Sequence, residues 1–181
     1  ISNPNYATPS CNTNNTYTYP IIRKIEIDLI SMFKTLFNGN YKCDGCITTC
    51  KGESIILMLK AYKKYYYKKN PEIIISINAD PCFFKIAELL DIHIKKIDVN
   101  KDTKKMCLVS IENSITTNTI AIIASAPSLY NGIMDPILEL GYIANDNDIA
   151  LHIDCSIGGF ILPFLKNKYS YDFRINGVTS I

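Results

Sequence analysis

Between residues 21 and 37 apolar side chains return every three or four positions. Ile22, Ile25, Leu29, Met32, Phe33 and Leu36 fall on one stripe, which predicts an amphipathic helix stopped by the Asn38-Gly39 pair. From about Glu53 to Lys69 the pattern returns through Ile55, Leu59, Tyr62 and Tyr66 and predicts a second helix. The rhythm then changes. The runs EIIISI, HIKKIDV, TIAIIASA and IALHID are short and rich in isoleucine, and each predicts a strand; FRINGVTSI predicts one more. CFFKIAELL, KKMCLVSIENSI and DPILELGYIANDN lie between them and predict helices. Strands that are apolar on both faces and alternate with helices imply an α/β fold with a mostly parallel sheet covered on both sides. Residues 1–20, rich in Asn, Thr, Tyr and Pro, carry no period and are expected to form an irregular arm, and residues 21–181 part of one domain.

Composition narrows the function classes. A chain of 181 residues with 48% hydrophobic content can bury a sizeable core, and a net charge of +2 gives no electrostatic ground for a nucleic-acid partner. No apolar run reaches the length of a membrane span and no signal peptide opens the chain. It does not begin with Met and its last residues, NGVTSI, look like a strand still under way, so it reads as an internal piece of a longer protein. Seven cysteines, an odd number, fit a reduced intracellular setting better than a disulfide framework.

The chemistry concentrates in LHIDCSIGGFIL, residues 151–162. An apolar strand delivers one carboxylate, Asp154, to its carboxyl end, where ligands of parallel sheets sit. Burying that charge requires a partner. There is no G-x-G-x-x-G after a strand and no Walker A motif, so a nucleotide is a poor choice. A cofactor with a cationic ring nitrogen and a phosphate fits better, and pyridoxal 5′-phosphate has both. KGES at 51–54 opens a helix and is the candidate phosphate site. The plainer alternative is that Asp154 only caps a helix or anchors a loop. Cys43, Cys46 and Cys50 resemble part of a zinc site, but the fourth ligand would have to be His93, His152 or a distant cysteine, and small residues filling a tight loop is the favoured reading. Lys63, Lys64, Lys68 and Lys69 are read as a solvated helix end rather than an anion patch.

With these segments in order, the chain resembles the sphingosine-1-phosphate lyase family, fold-type I pyridoxal-phosphate enzymes related to the group II amino-acid decarboxylases. YPIIRKIEIDLISMFKTLFNG, ITTCKGESIILMLKAYKK, NTIAIIASAPSLYNGIMDPI, LHIDCSIGGFILPF and YDFRINGVTSI carry the resemblance, from about Tyr19 to Ile181. It implies a large-domain fragment in which Asp154 pairs with the pyridine nitrogen and His152 lies near cofactor or substrate. Lys51, Gly52 and Ser54 would stand at the phosphate loop, Asp80 at the ring-stacking position and Cys155 where a small residue packs on the ring. It also implies cleavage of a phosphorylated long-chain base to a fatty aldehyde and phosphoethanolamine by a homodimer. The family's eukaryotic members sit at the endoplasmic reticulum through a segment outside this chain.

The sequence departs from the family pattern in three places. The Schiff-base lysine belongs to a His-Lys pair just beyond the strand ending at Ile181, so no lysine here is expected to fill that role and the fragment alone should not catalyse. Asp80 replaces the ring-stacking histidine and offers no π face. Cys50-Lys51 replaces the double glycine of the phosphate loop; Lys51 either contacts phosphate directly or points into water. A pyridoxal-phosphate lyase, a decarboxylase of the same family and a non-catalytic relative serving as a partner subunit are therefore the readings to separate.

Overall fold

The isoleucine runs become strands because their branched side chains pack on both faces of a sheet. The computed structural model describes residues 20–166 and 169–181. The expected irregular arm lies outside the described residues, except for Pro20, which opens a helix. The chain divides into two compact units, Ile1–Ile47 and Thr48–Ile181. In the first, α1 spans Pro20–Leu36 on the predicted periodicity, and none of its residues is buried. Asn38 turns into the left-handed region at φ 55 and the N–H of Gly39 returns 2.8 Å to Lys34 O, which ends the helix as the Asn-Gly pair predicts.

The second unit runs α2 (Lys51–Tyr66), β1 (Glu72–Ser76), α3 (Pro81–Leu89), β2 (His93–Ile97), α4 (Leu108–Ser114), β3 (Thr119–Ser125), α5 (Ile137–Asp146), β4 (Ala150–Asp154), a 3-10 turn at Leu162–Phe164 and β5 (Val178–Ser180). The strands form one sheet in the order β2-β1-β3-β4-β5, and all four pairings are parallel. The crossover from β1 to β2 runs one way along the sheet and the next, from β2 to β3, runs back past β1. Right-handed crossovers therefore place α3 and α4 on opposite faces. The carboxyl ends of β1 and β3 flank the point of reversal, where such folds open a crevice.

The parallel register sorts side chains into rows. Ile73, Ala121 and Ala150 stand side by side, and Ile75, Ile123 and His152 form the next row; the aliphatic members of both pack under Ile55, Leu59 and Tyr62 of α2 and Phe83, Ile86 and Ala87 of α3. Ile74, Ile122 and Leu151 form a row on the other face and are fully buried.

Several element boundaries differ from the sequence expectation, and three of the changes have a clear physical cause. Helix α2 begins earlier, because Cys50 is extended and acts as the N-cap, and ends at Tyr66, because Tyr67 adopts a left-handed conformation at φ 46. Helix α4 starts later than its apolar pattern, because Met106 is bridged to Val99 and its N–H is held by the Asp135 carboxylate. Strand β5 keeps only Val178–Ser180 of the FRINGVTSI run. Asp172 ties down Arg174 through the backbone N–H and the guanidinium, and Gly177 turns at φ 98 against Gly141, where a Cβ would lie 2.2 Å from Gly141 O. Among the described residues no helix is long and apolar enough to cross a membrane.

Candidate active site

Three chain segments meet beyond the carboxyl ends of the strands. Asp154 closes β4 opposite Ser125 of β3. Asp80 follows β1 and caps α3, its Oδ1 accepting the Cys82 N–H at 2.8 Å while Pro81 fills the first helical position. Lys51 opens α2. Its Nζ donates to Asp80 Oδ2 at 2.8 Å and to Asp154 Oδ2 at 3.0 Å. Side-chain exposures are 34% for Lys51, 18% for Asp80 and 11% for Asp154, so this ion triad is screened from water on the carboxylate side. Burial disfavours the ammonium, but the hydrogen bonds and charges of Asp80 and Asp154 outweigh it and hold Lys51 above the ordinary amine range. Asp80 is held below the usual carboxylate range: desolvation opposes ionisation, and the Lys51 bond and the Cys82 N–H overcome it.

The other oxygen of Asp154 is held locally. Ser156 donates its N–H to Oδ1 at 3.0 Å and its hydroxyl to the same atom. Behind it, Gly158 packs so close to the Ala126-Pro127 segment that a Cβ would fall 2.2 Å from Ala126 O, which accounts for a glycine there. His152 shares a sheet face with Asp154. Its Nδ1 pairs with Ser180 Oγ at 2.7 Å, and Tyr62 OH meets the same hydroxyl at 2.5 Å. The ring lies tilted against Phe83 with centroids 5.8 Å apart. Burial pushes the imidazole down to about 4, so it is neutral at physiological pH. Cys155, half-buried next to Asp154, is pushed up chiefly by burial and stays a thiol.

At the start of α2, no side chain caps the first turn. Thr49 instead donates both its N–H and its hydroxyl to Glu53 Oε2 at 2.7 Å, and Ser54 Oγ pairs with Thr48 Oγ1 at 2.6 Å. The leading N–H groups of this 16-residue helix remain to face an anion. Gly52 has room: a Cβ there would meet only the sulfurs of Cys50 and Cys82, at 3.7 and 3.8 Å.

The structure thus brings Lys51, Asp80 and Asp154 into contact, sets His152 and Cys155 beside them, and leaves Gly52 and Ser54 on the first turn of α2. It also gives Lys51 two partners that neither sequence reading named, the carboxylates of Asp80 and Asp154. Sequence reasoning missed Ser156 and Ser180. The Asp-x-Ser spacing signals the first as an Asx turn; no local pattern signals the second, which depends on the pairing of β4 with β5. It also missed Asp135, whose carboxylate anchors Ser125 N at 2.9 Å and Met106 N at 3.2 Å below the crevice. Among the described residues no group of three or more His, Cys, Asp or Glu could hold a metal ion. The lysine-rich end of α2 borders a separate open groove of about 950 Å³, where Lys63 Nζ donates to Leu90 O at the end of α3.

A carboxylate at a strand end facing the uncapped start of a helix, on a doubly wound parallel sheet, is the frame of an enzyme class that grips a cationic ring at one end and a phosphate at the other. The chain belongs to the pyridoxal-dependent decarboxylase family, whose conserved domain matches residues 7–181. It is 38% identical to the sphingosine-1-phosphate lyase of Dictyostelium discoideum over 169 residues, 90% of this chain and 32% of that protein. It is 35% identical to a probable L-aspartate decarboxylase of Archaeoglobus fulgidus over 165 residues, 90% of this chain and 45% of that protein. The sphingosine-1-phosphate lyase structure of Burkholderia pseudomallei superposes with a TM-score of 0.85 at 25% identity, covering 90% of this chain and 41% of that one. The expected fold-type I architecture is therefore borne out. The chain spans about a third of the length of the sphingosine-1-phosphate lyase it matches.

Proposed function

We propose that the protein containing this chain is a pyridoxal-phosphate-dependent carbon–carbon lyase of the sphingosine-1-phosphate lyase type, and that residues 21–181 form part of its cofactor-binding large domain. The observation that carries this reading is Asp154, fixed at the end of β4 and facing the uncapped first turn of α2. The residues fit the group at its two charged ends. Asp154 would keep the ring nitrogen protonated, and the N–H groups of Lys51 and Gly52 would receive the phosphate. Pyridoxal phosphate, when bound, supplies an electron sink for the carbanion left by carbon–carbon cleavage. His152, neutral and hydrogen-bonded to Ser180, would offer its remaining ring nitrogen to substrate or cofactor. Asp80 supplies no aromatic face at the position where the family stacks a ring.

The proposed substrate is a phosphorylated long-chain base, and the products are a fatty aldehyde and phosphoethanolamine. A homodimer at the cytosolic face of the endoplasmic reticulum goes with the same reading, through a segment outside this chain. Likeness to an archaeal L-aspartate decarboxylase supports the second reading, an amino-acid decarboxylase. The test is to incubate the full-length protein, loaded with pyridoxal phosphate, separately with a phosphorylated sphingoid base and with L-aspartate. Phosphoethanolamine from the first supports the lyase and carbon dioxide from the second the decarboxylase. Cofactor binding without either product would sink both and leave the non-catalytic partner subunit.

A further inference from the structure

Two departures from the family pattern, Lys51 in the phosphate loop and Asp80 at the stacking position, are in the structure one feature: their side chains touch, and Lys51 reaches on to Asp154. We propose that Lys51 is an internal counter-ion that keeps the cofactor's place and sets its affinity, leaving Asp154 for Asp80 when the ring nitrogen arrives. This rests on the pyridoxal-phosphate reading of the site.

Acceptor geometry is the first ground. Asp154 Oδ1 already receives two donors from Ser156, and Lys51 holds Oδ2. A protonated ring nitrogen would have to approach an oxygen that carries another cation, and like charges at that distance repel. Space is the second. Lys51 is rooted in the first turn of α2, so its side chain crosses from the proposed phosphate end to the proposed ring-nitrogen end. The lysine and the ring claim one path. Charge balance is the third. With Lys51 on both carboxylates, one positive group answers two negative ones. With a cationic ring on Asp154 and Lys51 on Asp80, each carboxylate has one cation of its own, and the phosphate is left to the N–H groups of α2. Asp80 is fixed for that task, because Cys82 N–H holds its Oδ1 while Oδ2 faces Lys51. A neutral residue at position 80 would leave the displaced ammonium unpaired.

The test is equilibrium titration of the full-length apoprotein with pyridoxamine 5′-phosphate, whose amine cannot condense with a lysine, so that binding reports only the ring nitrogen and phosphate contacts. Lys51→Met is expected to bind roughly tenfold more tightly than wild type, and Lys51→Gln, which keeps a polar chain without the charge, to follow it. Asp80→Asn is expected to weaken binding several-fold when Lys51 is present, because the ammonium then has Asp154 alone, and not to weaken it in the Lys51→Met background. That reversal separates the exchange from a general charge effect. Unchanged or weaker binding in both Lys51 variants overturns the proposal and leaves the cofactor reading standing. Failure of wild type and both variants to bind overturns the proposal and the cofactor reading together.

Discussion

Strand β4 shows two different uses of the same five residues. On one face, Leu151 and Ile153 are fully buried, and Leu151 continues the Ile74–Ile122 row. On the other, His152 continues the Ile75–Ile123 row and Asp154 ends the strand against Lys51. The first face holds the fold by removing apolar surface from water. The second places a histidine and an aspartate where aliphatic groups would pack better, and each is supported by a specific partner, Ser180 for one and Ser156 with Lys51 for the other. Alternation along a strand lets stability and chemistry be set one residue apart without interfering.

Substitutions on the two faces should therefore fail differently. Leu151→Ala is expected to cost about 2–5 kcal/mol of unfolding free energy, since it opens a cavity in a close-packed row. Denaturant titration reads that loss, and cofactor affinity of the folded fraction should stay within about twofold. Asp154→Asn should do the reverse. Stability should move by no more than about 1 kcal/mol, while pyridoxal-phosphate affinity falls roughly 30- to 100-fold through loss of one partly buried ionic hydrogen bond. Equal cofactor binding by Asn at 154 would remove Asp154 from the site and reduce it to a loop anchor.

His152 sharpens the comparison through pH. Burial lowers its pKa from 6.5 to about 4 in the folded protein, opposed by Asp154 and assisted by Lys51. Between those values the unfolded chain binds a proton that the folded chain refuses. The contribution is complete above pH 6.5 and is lost as pH falls toward 4. His152→Gln keeps a polar group beside Ser180 but does not titrate. Its loss of stability between neutral pH and pH 4 should be smaller than the wild type's by on the order of 2 kcal/mol, measured as denaturant midpoints at both pH values. An identical acid slope in both proteins would mean that His152 binds its proton equally well in the folded and unfolded chains, so that burial does not shift it.

The sheet and its helices were legible because isoleucine runs and helical stripes are local patterns. So was Asp154, because a lone acid at the end of an apolar run is out of place unless something answers it. The boundaries were less legible. Helix α2 stops at Tyr66 although Lys68 and Lys69 are good helix formers, because Tyr67 turns left-handed, and β5 is short because Gly177 and the Asp172–Arg174 turn consume the rest of its run. The Lys51–Asp80 contact was not legible at all. The partners are far apart in sequence, and each alone looked like damage to a known pattern; only the meeting of the start of α2 with the turn after β1 and the end of β4 makes them one unit. Ser180 was hidden for the same reason.

Tyr171 is the smallest lever and belongs to neither face of β4. It is 1% exposed, and among the described residues its hydroxyl has no hydrogen-bond partner. A buried hydroxyl that loses water and gains nothing costs about 1–3 kcal/mol relative to a satisfied one. Phenylalanine fills nearly the same volume and removes that cost, so Tyr171→Phe should raise stability by about 1 kcal/mol, or by a few degrees in Tm for a chain of this size. Cofactor affinity should not change, because no contact joins the hydroxyl to Lys51, Asp80 or Asp154 among the described residues. A fall in Tm would show that the hydroxyl is held by a group outside the described residues. Tyr171 would then belong with His152 and Asp154, as a polar group kept in an apolar place for its partner, instead of with Leu151.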